Sequence, residues 1–500
     1  MLPSPWIGWV GYTHGVMHAR AVARATSLAL LVAVMVSPPA AGQGARIEVE
    51  LIEEADNIGI EGTNNADLVF ATTVNDWVVV LTIDRVGVRL SQFRQDTVDL
   101  IAVDAHGGGD VVLIDHDIQT IVDLRDGDDI FVGGPGDDNV RADDGRDVVY
   151  ARDGGGTFSG GSMADILVGG AGGDRIAGDG GDDALNGNGG DDTIRGGDDD
   201  DLVVGAAGVD HLEGRDGDDF LVGGPGDDEL FGGDHDDVLC GGIDNDYLGG
   251  GRGDDHLFGE EQADEHDGDN GNDELYGDPA VGDTFANGNV NVGDYICDFD
   301  SAVDPPAVEV SNDVTAFAYS GYVYISGGEG ADSIEVTANG ATVSATVTRE
   351  GAAPVSIAAE ILEGPPTALI VGGAGDDEIR LAGEFAAVIV DAGSGNDTLR
   401  ADEAIYAIGV ILGDSGDDIL AVGGVRNLVA AGAGDDRVSG GGGTDYISAA
   451  PGDDVVEVGE SDYVLEEHLR GDGLALIVSI ALALAAALLW VALRFARRRG

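Results

Sequence analysis

The chain has no lysine. All 24 of its basic residues are arginine, set against 95 aspartates and glutamates in 500 residues, and the formal net charge is −71. Such an excess of negative charge excludes nucleic acid as a partner and favours cations. Aromatic residues make up only 5%, which is not the composition of an ordinary globular domain. The two cysteines, Cys240 and Cys297, could pair in an exported chain, but no CxxC spacing offers a thiolate metal site. None of the nine histidines stands in an HExxH arrangement, which removes the usual zinc-protease route.

What is present is glycine, 84 residues of it, and acid at a fixed period. From Leu124 to Tyr276 the chain divides into seventeen consecutive nine-residue units without an insertion. Gly223-Gly224-Pro225-Gly226-Asp227-Asp228-Glu229-Leu230-Phe231 is a clean copy of the pattern G-G-x-G-x-D-x-L-x. The sixth position is Asp in sixteen units, with Gly156 the exception, and the eighth is apolar in sixteen, with His266 the exception. Position one is Gly in fourteen units, and position five is Asp or Asn in eleven. Halophilic adaptation would spread acids over a surface, so their strict periodicity favours metal binding instead.

Each unit has two physically different halves. The Gly and Asp half turns tightly, because its backbone reaches positive φ at little cost. The other half, such as Glu229 to Phe231, is a strand too short to stand alone, with its middle residue facing one side. One unit cannot bury its apolar residue. Stacked units can, by aligning their eighth-position side chains in a ladder that forms the thin core of a solenoid. A disordered acidic tract would have no use for that apolar column.

The stretch resembles the hemolysin-type calcium-binding (RTX) β-roll, over about a third of the chain. The resemblance implies an all-β parallel β-roll in which two nonapeptides make a coil and Ca²⁺ ions sit between turns on the same edge of successive coils. Seventeen turns would then offer about fifteen inter-turn positions. A hard Ca²⁺ ion takes six to eight oxygens, mixing carboxylates with backbone carbonyls, and a Gly-rich turn carrying one Asp supplies both. The candidate ligands are Asp129, Asp138, Asp147, Asp165, Asp174, Asp183, Asp192, Asp201, Asp210, Asp219, Asp228, Asp237, Asp246, Asp255, Asp264 and Asp273. Position five adds either further ligands or only negative potential. Two units are weak: Ala151 to Ser159 lacks the Asp, and Gly259 to Asp267 lacks the fourth-position Gly and the apolar eighth residue. Without metal the crowded carboxylates repel, so folding coupled to Ca²⁺ is expected.

The remainder organises around this roll. Arg20 and Arg24, the apolar run Leu28 to Val36, and Pro38-Pro39-Ala40-Ala41-Gly42 read as a signal peptide over 1–42, with Met17 a possible start. Residues 43–123 read as a β module with RTX-like turns at Asp67 and Asp110, and 278–307 as a linker rich in turn signals. Residues 308–470 read as a second, less regular β-solenoid. Its Asp332-to-Asp377 span of 45 residues matches the 43 between Asp67 and Asp110, as a duplication would. Within it, Asp377, Asp397, Asp418, Asp436, Asp445 and Asp454 are further candidate calcium ligands, and Ala386 to Val390 and Ile408 to Leu412 would be the opposite strands. Leu474 to Leu493 is a 20-residue apolar run followed by Arg494, Arg497, Arg498 and Arg499, so 471–500 reads as one transmembrane helix with a cytoplasmic C-terminus.

Gly413-Asp414-Ser415-Gly416 and Arg252-Gly253-Asp254 mimic a serine-protease loop and an integrin motif, but both fall in repeat phase. No large non-repeat segment offers an obvious catalytic domain. The expectation is a calcium-binding, membrane-anchored solenoid displayed at the cell surface, structural or adhesive rather than an enzyme, with cell-surface or matrix ligands as partners. An envelope calcium buffer or sensor, and a polysaccharide-active β-helix or RTX-linked hydrolase, are the alternatives.

Overall fold

The computed structural model describes residues 48–465 with short gaps, the longest at 293–306. The expected signal peptide (1–42) and transmembrane segment (471–500) lie outside the described residues. Every regular element within them is a β-strand, and no helix there is long and apolar enough to cross a membrane.

The strands wind into two parallel solenoids. The first is made of a 13-stranded and a 14-stranded sheet facing each other, and the second of two nine-stranded sheets. One coil of the roll is two nonapeptides, so residues 18 apart are neighbours in the same sheet. Leu212 pairs with Leu230 and Leu230 with Leu248 in one sheet, while Leu221, Leu239 and Leu257 follow one another in the other. Each short strand points its middle residue inward, which aligns the eighth-position side chains into a continuous buried ladder.

The roll extends past both expected ends. Residues 57–126 continue its two sheets without interruption through Asn57–Thr63, Leu100–His106 and Gln119–Asp126. At the other end, Thr284–Ala286 and Asn289–Val292 still pair with it. Part of the stretch read as a linker is therefore another coil. A single extra residue, which puts Asp283 nineteen after Asp264, hides it from a strict nine-residue count.

Both solenoids begin on the same plan. A strand leads through an RTX-like turn into a three-stranded antiparallel meander, and the chain then returns to stack the next coil. The meander is Leu68–Val74, Trp77–Asp84 and Gly87–Arg94 in the first, and Asp332–Asn339, Thr342–Arg349 and Val355–Glu360 in the second. Antiparallel strands Glu48–Ile52 and Thr315–Tyr319 cover the parallel strand that opens each solenoid. Ala387–Asp391 and Ile408–Leu412 lie in the sheet opposite the strands that follow the Asp turns, as the spacing predicts.

The solenoids pack side by side through a third apolar core. Outward side chains of the first solenoid's 14-stranded sheet, from Leu68 through Val132, Tyr150 and Val204 to Cys240, meet Phe317, Tyr322, Tyr324, Ile389, Val410 and Tyr446 of the second. Three tyrosines bond across this seam: Tyr150 to Asp391 (3.0 Å), Tyr322 to the Ala164 carbonyl (3.0 Å) and Tyr324 to Asn188 (2.8 Å). Cys240 is buried and disulfide-bonded.

Buried inside the seam, Arg152 meets Asp391 (3.2 Å), Asp115 (3.3 Å) and Asp414. Arg152 occupies position two of the weak unit Ala151 to Ser159 with φ +69. Its position-two residue therefore serves the interface. Asp414, from the Gly413-Asp414-Ser415-Gly416 loop, is thus an interface residue in a repeat turn.

Candidate metal centres

Turns between the sheets place the candidate aspartates in columns along the solenoid edges. Asp129, Asp147, Asp165, Asp183, Asp201, Asp219, Asp237, Asp255 and Asp273 follow one edge, where Asp67 and Asp110 precede them. Asp138, Asp174, Asp192, Asp210, Asp228, Asp246 and Asp264 follow the other, continued by Asp283. In the second solenoid Asp332, Asp377, Asp397, Asp418, Asp436 and Asp454 form one column, and Asp445 and Asp462 share the opposite edge.

Each carboxylate is held by one oxygen. In most of them Oδ1 accepts a hydrogen bond from the backbone N–H of the column aspartate one coil earlier, as in Asp183 to Asp201 and Asp219 to Asp237 (2.8 and 2.9 Å), while Asp138, Asp174 and Asp445 accept from the Thr120 hydroxyl, Gly156 N–H and the Asn427 side-chain amide. The second oxygen, Oδ2, is buried without a partner in twenty of the twenty-two candidate ligands. The exceptions are Asp174, whose Oδ2 accepts from Gly170 N–H (2.8 Å), and Asp454, which is only half-buried.

A row of buried oxygens with nothing to bind is costly unless a cation or proton satisfies it. Burial raises these side chains well above the usual carboxylate range: to about 9 at Asp165, Asp201 and Asp237, about 8 at Asp147, Asp183, Asp192 and Asp246, and about 6 at Asp210 and Asp255.

The donor set suits a hard ion. A Cβ placed on first-position Gly223 would lie 2.5 Å from Asp228 Oδ2 and 2.6 Å from the Gly241 carbonyl oxygen, so a carboxylate and a main-chain oxygen converge over a position that only Gly leaves open. The fourth-position glycine is needed for a second reason. Gly226 has φ +149, and a side chain there would run into the Gly208 carbonyl of the preceding coil. Oxygen-only donors of mixed charge are the environment Ca²⁺ takes. The exposed fifth-position residues form an outer rail, with Asp218 N–H donating to Asp200 (2.8 Å) and Asp254 N–H to Asp236 (2.7 Å).

The family described as the RTX calcium-binding nonapeptide repeat (4 copies) matches residues 125–158, 159–194, 178–212, 213–248, 249–278, 380–403 and 422–456. These are RTX calcium-binding repeats. The match reaches into the second solenoid, over 380–403 and 422–456. No curated protein matches the chain.

One column in each solenoid has a closed first member that the repeat pattern does not reveal. Asp67 accepts from Thr63 through both oxygens, from the backbone N–H (2.6 Å) and from the hydroxyl (3.0 Å). Asp332 is held by the Arg349 guanidinium at 3.0 and 2.8 Å. Arg349 puts a built-in cation where the following turns leave an oxygen open. It comes from the meander, seventeen residues downstream, and no local motif announces it.

Proposed function

We propose that the RTX columns hold Ca²⁺ through Asp129 to Asp273 and Asp377 to Asp454, and that the calcium-loaded double solenoid is a rigid structural or adhesive module at the cell surface. In this reading the module is anchored by the apolar run 474–493 and catalyses no reaction. The observation that carries it is the row of buried Oδ2 atoms without partners, repeated every coil on the solenoid edges. Bound ions would supply the positive charge that lets those carboxylates stay ionised while buried. The glycine-rich turns would keep the carbonyls open to the ion and the apolar ladder would exclude water.

Folding would follow export, because the free chain repels itself wherever calcium is scarce. The basic residues after Leu493 support retention of the C-terminus in the cytoplasm, and the absence of an obvious catalytic segment supports the non-enzymatic role. The deciding experiment is circular dichroism with calorimetry on residues 43–470, titrated separately with Ca²⁺, Mg²⁺ and NaCl. A cooperative gain of β signal specific to Ca²⁺, with many ions per chain, is expected. Equal folding in any salt would mean that charge screening suffices, and the reading would fall. Protease accessibility on intact cells, and calcium-dependent adhesion without turnover of uronic-acid polymers, test the location and the role.

A further inference from the structure

The apolar ladder of the roll is broken once. His266 takes the inward position held elsewhere by Leu, Ile, Val or Phe, between Leu248 of the coil before and Phe285 of the coil after. The ring is fully buried and stacks on Phe285 with centroids 4.9 Å apart. Neither ring nitrogen makes a well-formed hydrogen bond, although the Leu257 main chain lies near the ring. A buried polar group left unmet on both sides is rare, and leucine would pack the position without that defect.

Two carboxylates stand beside it. Asp264 Oδ1 accepts from Asp246 N–H (2.9 Å), which leaves its buried Oδ2 open, and Asp283 Oδ1 accepts from Asp264 N–H (3.1 Å). One donor atom from each of Asp264, His266 and Asp283 lies within 4.8 Å of the other two, and all three residues are buried. Gly259 makes the convergence possible, because a Cβ there would meet both Asp264 Oδ2 and His266 Nε2.

We propose that Asp264, His266 and Asp283 form a site for one first-row divalent transition ion of the Zn²⁺ type, in which Asp264 Oδ2 serves this mixed nitrogen–oxygen centre instead of the all-oxygen calcium column in which it stands. An imidazole nitrogen favours such ions over Ca²⁺ or Mg²⁺. Metal–ligand distances of about 2.0–2.2 Å put tetrahedral donors about 3.4 Å apart, so the three side chains need only a small closure. Both carboxylates are already oriented by backbone N–H donors, the kind of outer support that ligands of this class have. The extra residue before Asp283 and the missing apolar residue at position eight belong to one arrangement at the last coils of the roll.

The test uses the full-length chain in saturating Ca²⁺, titrated with Co²⁺ as an optical probe and then with Zn²⁺ in competition. One Co²⁺ per chain with a visible ligand-field band, displaced by one equivalent of Zn²⁺, is expected. His266→Leu restores the ladder residue and should keep the calcium-dependent β signal while losing the band. If that variant fails to fold, Asp283→Asn takes its place, keeping the acceptor for Asp264 N–H, and should weaken Co²⁺ at least about tenfold. No Co²⁺ binding by the unaltered chain, or an unchanged band in the variant that folds, overturns the proposal.

Discussion

At the residue scale, the sixth-position aspartate divides its work between two oxygens, one tied to the preceding coil and one left for an ion. Because burial raises these pKa values from 3.8 to about 6–9, the linkage runs opposite to ordinary acid denaturation. In calcium-free protein their full stability is present below pH ~4 and is lost as the pH rises through about 6–9. Calcium-free protein should therefore melt higher at pH 5 than at pH 8, while the calcium midpoint of folding rises as the pH falls, since each ion must displace protons. Thermal scans and calcium titrations at the two pH values check this; a calcium-free melting point that falls on acidification would contradict it.

Asp201→Asn isolates the second oxygen. The amide keeps the acceptor for Asp183 N–H and puts an N–H₂ near the Gly214 carbonyl. The calcium-free melting point should hold or rise, and the calcium midpoint should rise by about tenfold, roughly 1.4 kcal/mol. The column itself was legible because Asp recurs at one fixed position. Asp283, Thr63 and Arg349 were not, because an inserted residue, a side-chain cap and a distant strand leave no mark on a nine-residue count.

At the element scale, strands of three residues gain nearly all their stability from neighbours. Leu221 is fully buried in the ladder, and Leu221→Ala should cost about 2–5 kcal/mol, measurable as lower melting in saturating calcium. The lateral seam rests on different chemistry. Arg152 neutralises carboxylates from both solenoids, and Arg152→Met would leave Asp115, Asp391 and Asp414 facing one another in the interior. A loss of about 3–5 kcal/mol is expected, read as the solenoids melting in two steps rather than one; a single unshifted transition would show that the seam needs no cation.

The sequence carries a readable trace of this seam. From Ile130 to Cys240 positions seven and nine are apolar in every second unit except at Asn186, as at Ile130 and Val132, Ile166 and Val168, Leu202 and Val204, and mostly polar between them, as at Asn139 and Arg141 or Thr193 and Arg195. The alternation has a period of eighteen, so a search at nine finds the ladder and averages the docking face away.

At the scale of the whole molecule, the eighteen-residue alternation also makes length a quantised property. Removing residues 205–222 deletes one complete coil and leaves the apolar ladder, both carboxylate columns and the identity of each face intact. Removing only 205–213 carries Phe220 and Val222 onto the solvated face and swings Glu229 against the second solenoid. The first deletion should yield a shorter, soluble, calcium-responsive protein, and the second an aggregating one, as size-exclusion chromatography in calcium would distinguish. Chains of this construction can be lengthened or shortened by recombination only in whole coils, and the side-by-side partner enforces that rule, because a lone roll has no dry face to defend.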